Sequence, residues 1–134
     1  MKKRYLIAIP FVLLVNACSD WQGAQRKEVD GLIILLQTTP APLQVGSHAD
    51  IRVKLKSDKN QPSDDCKARF RQFMPGMEMS LDKTFVEMTA EGDWRFKAQS
   101  AEFSMGGDWV IELTLACNDK SYVQPFTYHL EWPE

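Results

Sequence analysis

Apolar and polar side chains alternate with a period of two over much of this chain, and this pattern restricts its fold more than any other feature of the sequence. In residues 51–56, three aliphatic side chains alternate with three basic ones. The same period recurs in residues 66–71, 94–99, 109–117 and 126–132. Antiparallel strands with one face toward solvent have this pattern, whereas amphipathic helices have a period of about 3.6. The sequence therefore predicts an all-β domain.

Turn signals divide residues 30–134 into six or seven predicted strands. Segments rich in Pro, Gly, Asn and Asp occur at residues 40–42, 58–62, 90–93, 105–108 and 118–120. This number of short strands in about 105 residues is typical of an immunoglobulin-like antiparallel β-sandwich. Residues 31–37 are apolar on both strand faces, so they predict either a buried strand or one whose outer face is left for a partner.

The first seventeen residues have the organisation of a secretory signal peptide, with bases at residues 2–4 followed by an apolar run over residues 5–15. Eleven apolar residues rise only about 16 Å as a helix, which is short of the roughly 30 Å hydrocarbon core of a bilayer. We therefore predict a cleaved leader over residues 1–17 rather than a transmembrane helix.

Residues 15–18 resemble a bacterial lipobox, in which the cysteine thiol is diacylated and becomes the new N-terminus. This resemblance implies lipidation of Cys18 and a membrane anchor made of acyl chains, such as palmitate. Ser19 after the cysteine favours the outer membrane in the sorting pattern that these residues resemble. The alternative is ordinary signal-peptidase cleavage, which would leave Cys18 as a free thiol.

Loss of the three bases at residues 2–4 reduces 16 Lys+Arg to 13 against 18 Asp+Glu, so the chain from Cys18 onward has a formal net charge of −5. An acidic chain without a basic stripe is not expected to bind nucleic acid. It also predicts that anionic lipids add nothing to membrane attachment. Residues 18–29 are polar and aperiodic, which predicts a tether between the anchor and a domain over residues 30–134.

Cys66 and Cys117 both fall on the core-facing phase of their predicted strands. An oxidising compartment favours a disulfide between them. In the entropic treatment, the bond would restrict the unfolded chain and so stabilise the fold by about 4 kcal/mol. The alternative is a pair of buried free thiols.

Met74, Met77 and Met79 place three thioethers within six residues. Thioethers select Cu(I) over hard cations, so one interpretation is a copper site. The other is that these side chains fill irregular core space around a Pro-Gly turn. Neither His48 nor His129 is close to this segment in the sequence.

Three segments together resemble the YtkA-like domain family: residues 73–79, residues 91–96 and residues 103–109. In that family a Met-Pro-x-Met-x-Met stretch precedes a Gly-aromatic hairpin and a Met-x-Gly-x-Trp strand entry. The resemblance covers about residues 30–132 and implies a small immunoglobulin-like β-sandwich in a bacterial envelope protein. It also implies Met74, Met77 and Met79 as candidate copper ligands, and it supplies no catalytic residue.

No pattern in the sequence indicates catalysis. Neither histidine has a nucleophile at motif spacing, and no Gly-rich phosphate loop is present in the sequence. We therefore expect a non-enzymatic, lipid-anchored β-sandwich that faces the periplasm and binds another envelope protein through a sheet edge or through residues 32–36. The alternative is a periplasmic Cu(I)-binding or copper-handling protein; otherwise no cofactor is expected.

Overall fold

The computed structural model describes residues 21–57, 65–77 and 84–133. All regular secondary structure in these ranges is β-strand. The strands are β1 (Gln25–Val29), β2 (Leu32–Thr39), β3 (His48–Ser57), β4 (Cys66–Phe73), β5 (Val86–Glu87), β6 (Thr89–Gly92), β7 (Arg95–Glu102), β8 (Gly107–Cys117) and β9 (Lys120–Leu130). The all-β prediction is confirmed. The strand number exceeds the predicted six or seven because β1 lies in the predicted tether and β6 overlaps the turn predicted at residues 90–93. These ranges contain no helix that could span a membrane.

The strands form two antiparallel sheets that pack face to face as a β-sandwich. Sheet A has the order β1-β2-β3-β7-β6, and sheet B has the order β5-β4-β8-β9. The period of two explains this packing, because alternate side chains of every long strand turn to the space between the sheets.

The core consists of the inward-facing apolar side chains of both sheets. Sheet A contributes fully buried Ile34, Leu36, Ile51 and Val53, and sheet B contributes Phe70, Ile111, Leu113, Leu115 and Phe126. Each such side chain stabilises the fold by about 1.5–3 kcal/mol relative to an exposed position. Strand β2 is interior to sheet A, so its inner face is buried, whereas Ile33 and Leu35 on its outer face are half-buried. The buried-strand alternative for residues 31–37 is therefore correct for the inner face of β2.

The sandwich begins before the predicted boundary at Asp30, and the tether predicted over residues 18–29 is wrong for its second half. Gln25–Val29 form β1, which pairs with β2 through a two-residue turn at Asp30 and Gly31. Both turn residues have positive φ, 51° and 79°, as a type I′ hairpin turn requires. The sequence pattern did not predict β1 because its residues are mostly polar. An edge strand tolerates polar side chains on its inner face.

The hairpin predicted at residues 90–93 turns slightly later in the chain. Thr89–Gly92 form β6, and the turn residues are Asp93 and Trp94, with φ of 49° and 64°. Gly92 pairs with Arg95 across this turn.

Candidate functional site

One end of sheet B brings together the segments that carry the less common side chains. Strand β4 ends and strand β8 begins at this end of the sheet, where Phe73 pairs with Val110. Strand β9 ends beside the start of β8, since Leu130 pairs with Gly107. We call this region, formed by residues 74–77, 105–108 and 129–133, the Trp132 end.

The methionines of the predicted copper segment have different environments. Met74 is 8% exposed and belongs to the hydrophobic core, whereas Met77 is 43% exposed. The Met77 N–H donates to the Met74 carbonyl at 3.2 Å across Pro75 and Gly76. Gly76 has φ +80°, so this is a type II turn with Pro and Gly at the positions that such a turn favours. Met79 lies outside the described residues.

Gly107 leaves space for the Met74 side chain. A Cβ atom at Gly107 would lie 2.8 Å from Met74 Cε, and the backbone at Gly107 has φ +120°. The core role that the sequence offered as one alternative for the methionine segment is therefore correct for Met74.

Trp132 is the most exposed large apolar side chain of the described residues, at 63%. Its indole covers Gly106, where a Cβ would lie 2.6–2.8 Å from three ring atoms. A groove of about 280 Å³ adjoins the ring, and its lining consists of Pro42, Leu43, Gln44, Val45, His129, Glu131, Trp132 and Pro133. The groove thus combines apolar walls with two ionisable groups.

His129 lies between two carboxylates at the rim of this groove. Its Nδ1 is 2.7 Å from Asp108 Oδ1, and its Nε2 is 3.2 Å from Glu131 Oε1. The hydrogen bond with Asp108, followed by the negative charge of both carboxylates, raises the pKa of His129 above its usual value of 6.5. The groove therefore carries a titrating cation at its rim.

The sequence does not identify Trp132 as a surface residue, because it continues the alternation of Phe126, Tyr128 and Leu130. Strand β9 ends at Leu130, so Trp132 lies beyond the sheet. Pro133 does not signal this end, because Pro125 lies inside the same edge strand without stopping it.

Cys66 and Cys117 form a disulfide, with an S–S distance of 2.15 Å and directly paired positions on β4 and β8. The predicted bond is confirmed, and it joins neighbouring strands of sheet B at the opposite end from Met74. Cys18, the predicted lipidation site, lies outside the described residues.

The ionisable side chains of residues 21–57, 65–77 and 84–133 include no group of three or more His, Cys, Asp or Glu residues arranged to hold a metal ion. Thioether donors are a separate class of ligand. Of the three candidates, the structure describes Met74 and Met77, which occupy the first and last positions of one turn.

A family model described as YtkA-like matches residues 26–114, about two thirds of the chain. The matched region extends from β1 into β8 and includes the Met74–Met77 turn. It also includes Gly106, which lies against Trp132, and Gly107, which lies against Met74. No curated protein matches the chain, and no solved structure matches it.

Proposed function

This chain belongs to the YtkA-like family, and we propose that it acts as a non-catalytic binding module, lipid-anchored at Cys18 in the bacterial cell envelope. The module faces the periplasm, and Ser19 favours the outer membrane as the site of the anchor. The observation that carries the binding role is the exposed indole of Trp132 beside an apolar groove.

The groove suits one side chain of a protein partner. Its volume of about 280 Å³ is enough for one large apolar side chain. Tryptophan is enriched among the residues that dominate binding energy at protein interfaces. A segment of another envelope protein that inserts an apolar side chain beside Trp132 fits both facts.

The test compares Trp132→Ala with Val123→Ala, because Val123 is an apolar β9 residue that is also exposed, at 52%. Envelope proteins that co-purify with the wild-type chain are identified, and each is then purified and titrated directly. We expect a partner whose Kd rises at least about tenfold in Trp132→Ala, as loss of an interface hot spot predicts. We expect Val123→Ala to leave this Kd unchanged. Equal affinity of all three chains for every partner would refute the site.

We propose Cu(I) binding as the second candidate function. The type II turn favours it, because the first and fourth residues of a β-turn have Cα atoms less than about 7 Å apart. Met77 is the exposed donor of this turn, Met74 is the buried one at its first position, and Met79 would be the third.

Cu(I) titration against a competing chelator separates the two candidates. Copper handling predicts tight binding that is lost in a Met74→Leu/Met77→Leu/Met79→Leu variant and kept in a Met88→Leu/Met105→Leu control. Both control residues pack against the core from partly buried positions. Absence of Cu(I) binding by the wild-type chain would leave the protein-binding function alone.

A further inference from the structure

We propose that the outer face of sheet A lies against the anionic head groups of the membrane to which the chain is anchored. This proposal replaces the expectation, drawn from the net charge alone, that anionic lipids add nothing to membrane attachment. This inference rests on the attachment at Cys18 proposed above. Three observations support it: the charge of this face, the position of Trp21, and the apolar residues of β2.

The outer face of sheet A is cationic although the whole chain is acidic. Arg52 pairs with Lys97, and Lys54 pairs with Arg95, so like charges are directly opposite each other on β3 and β7. Like charges directly opposite each other destabilise a sheet. The six outward cations of sheet A are Arg26, Arg52, Lys54, Lys56, Arg95 and Lys97, and its four outward carboxylates are Glu28, Asp50, Glu91 and Glu102.

The carboxylates neutralise this face only in part. Arg26 is 3.3 Å from Glu28, and Lys97 is 3.7 Å from Glu91. With six cations against four carboxylates, the outer face keeps a positive balance.

Trp21 places the start of the described chain on this same face. Its indole is only 6% exposed, and the Arg52 guanidinium lies 5.0 Å from the ring centroid. The Gln37 side chain donates to the Gln22 carbonyl at 3.1 Å, and Gln37 is the β2 partner of Arg52. The segment before β1 is thus packed on sheet A instead of extending freely.

Trp21 is the third residue after Cys18, and a fully extended chain spans at most about 11 Å over these three steps. An acyl anchor on Cys18 therefore holds Trp21 close to the head groups. This distance is comparable to the Debye length of about 8–10 Å at physiological salt, so the cations beside Trp21 interact with anionic lipids. A long tether would have removed this interaction.

Ile33 and Leu35 add an apolar component to the same face. Both are half-buried on the outer side of β2. Leu35 lies between Arg26 and Lys54, and Ile33 lies between Glu28 and Lys56. Apolar side chains flanked by lysine and arginine are typical of surfaces that lie at a membrane interface.

Lysine labelling tests the orientation in the mature, membrane-extracted protein. The protein is reconstituted in vesicles of phosphatidylcholine, alone or with about a quarter phosphatidylglycerol, and labelled with a water-soluble acylating reagent. Lys56 and Lys97 report on the outer face of sheet A. Lys67 and Lys120, exposed residues of β4 and β9 in sheet B, are the matched controls.

We expect labelling of Lys56 and Lys97 to slow about fivefold in the anionic vesicles and to recover at high salt, because charge attraction to lipids is screened. Labelling of Lys67 and Lys120 should not change. Equal rates for both pairs in all vesicles would overturn the orientation. Protection that occurs in native membranes but not in lipid vesicles would also overturn it, since a protein would then cover this face.

A second measurement separates the orientation from the anchor. Intact mass shows whether Cys18 carries acyl chains, which tests the anchor alone. A mature Cys18→Ser chain is then sedimented with the anionic vesicles. Removal of two cations in Lys56→Gln/Lys97→Gln should weaken sedimentation about 25-fold, whereas Lys67→Gln/Lys120→Gln should have little effect. Equal sedimentation of the two variants would refute the docking face whether or not Cys18 is acylated.

Discussion

The side-chain amide of Gln72 in sheet B forms two hydrogen bonds with the backbone of Ala101 in sheet A. Gln72 Nε2 donates to the Ala101 carbonyl at 3.1 Å, and the Ala101 N–H donates to Gln72 Oε1 at 3.0 Å. Gln72 is buried at a position that faces the core, so its amide needs these partners. The pair therefore connects the two sheets by polar contacts at a point where most neighbours are apolar.

We expect Gln72→Leu to lower the free energy of unfolding by about 1–3 kcal/mol, because the N–H and C=O of Ala101 lose their partners. Chemical denaturation measures this change. Gln99→Leu is the control, since Gln99 is exposed on β7, and we expect a change within about 0.5 kcal/mol. Similar losses in the two variants would contradict the role of the amide pair.

The disulfide makes a second prediction. Cys66 and Cys117 are 51 residues apart, so their bond closes a long loop in the unfolded chain. A Cys66→Ala/Cys117→Ala variant should lose about 4 kcal/mol of unfolding free energy in the entropic treatment. Reduction of the wild-type protein should give a similar loss. A loss below about 1 kcal/mol in both experiments would show that the bond contributes little.

The carboxylates beside His129 predict a raised pKa for the imidazole, which NMR titration of the ring protons measures. We expect the pKa to lie above 6.5 in the wild-type protein and to fall in Asp108→Asn, because the hydrogen bond with Asp108 is its largest cause. Since the folded-state pKa exceeds the unfolded value, the stabilisation by this group is complete below about pH 6.5. It is lost as the pH rises through the folded-state pKa. An unchanged pKa in Asp108→Asn would contradict the assignment.

The contact between Gly106 and the Trp132 indole can be tested by a larger residue at position 106. In Gly106→Ala the new Cβ would lie 2.6 Å from the indole, so the ring has to move and the groove changes shape. We expect the indole N–H signal of Trp132 to shift in two-dimensional NMR, with Trp132→Phe used to assign it. The signal of Trp109, whose indole donates to the Met105 carbonyl at 2.9 Å, is the internal reference. A shift confined to Trp109 would be inconsistent with the observed contact.

The alternating pattern was sufficient to predict the long strands of the sandwich, because side chains on one face of β3, β4, β8 and β9 are apolar and those on the other are mostly polar. It failed for β1, where Gln25 and Lys27 are the inward residues. Asp30-Gly31 was the usable signal there, since this dipeptide favours a two-residue hairpin turn.

The candidate sites were less predictable because they depend on contacts distant in sequence. Met74 and Gly107 are brought together only by the pairing of β4 with β8. Trp132 lies over Gly106 only because β9 ends beside the start of β8. The pairing of Cys66 with Cys117 was predictable as one of two alternatives, since both residues share the core-facing phase.

The contact between β1 and β9 affects how copies of this chain meet each other. Gln25 Nε2 donates to the Thr127 carbonyl at 2.8 Å, and Lys27 Nζ lies 5.9 Å from the Phe126 ring, so β1 and β9 close one side of the sandwich. In the part of the chain that the structure describes, the remaining sheet edges are β5 and β6, with two and four residues. Strands this short give a second chain little backbone to extend, and an inward lysine on an edge strand opposes the same pairing. The molecule is thereby protected against edge-to-edge polymerisation in a crowded compartment.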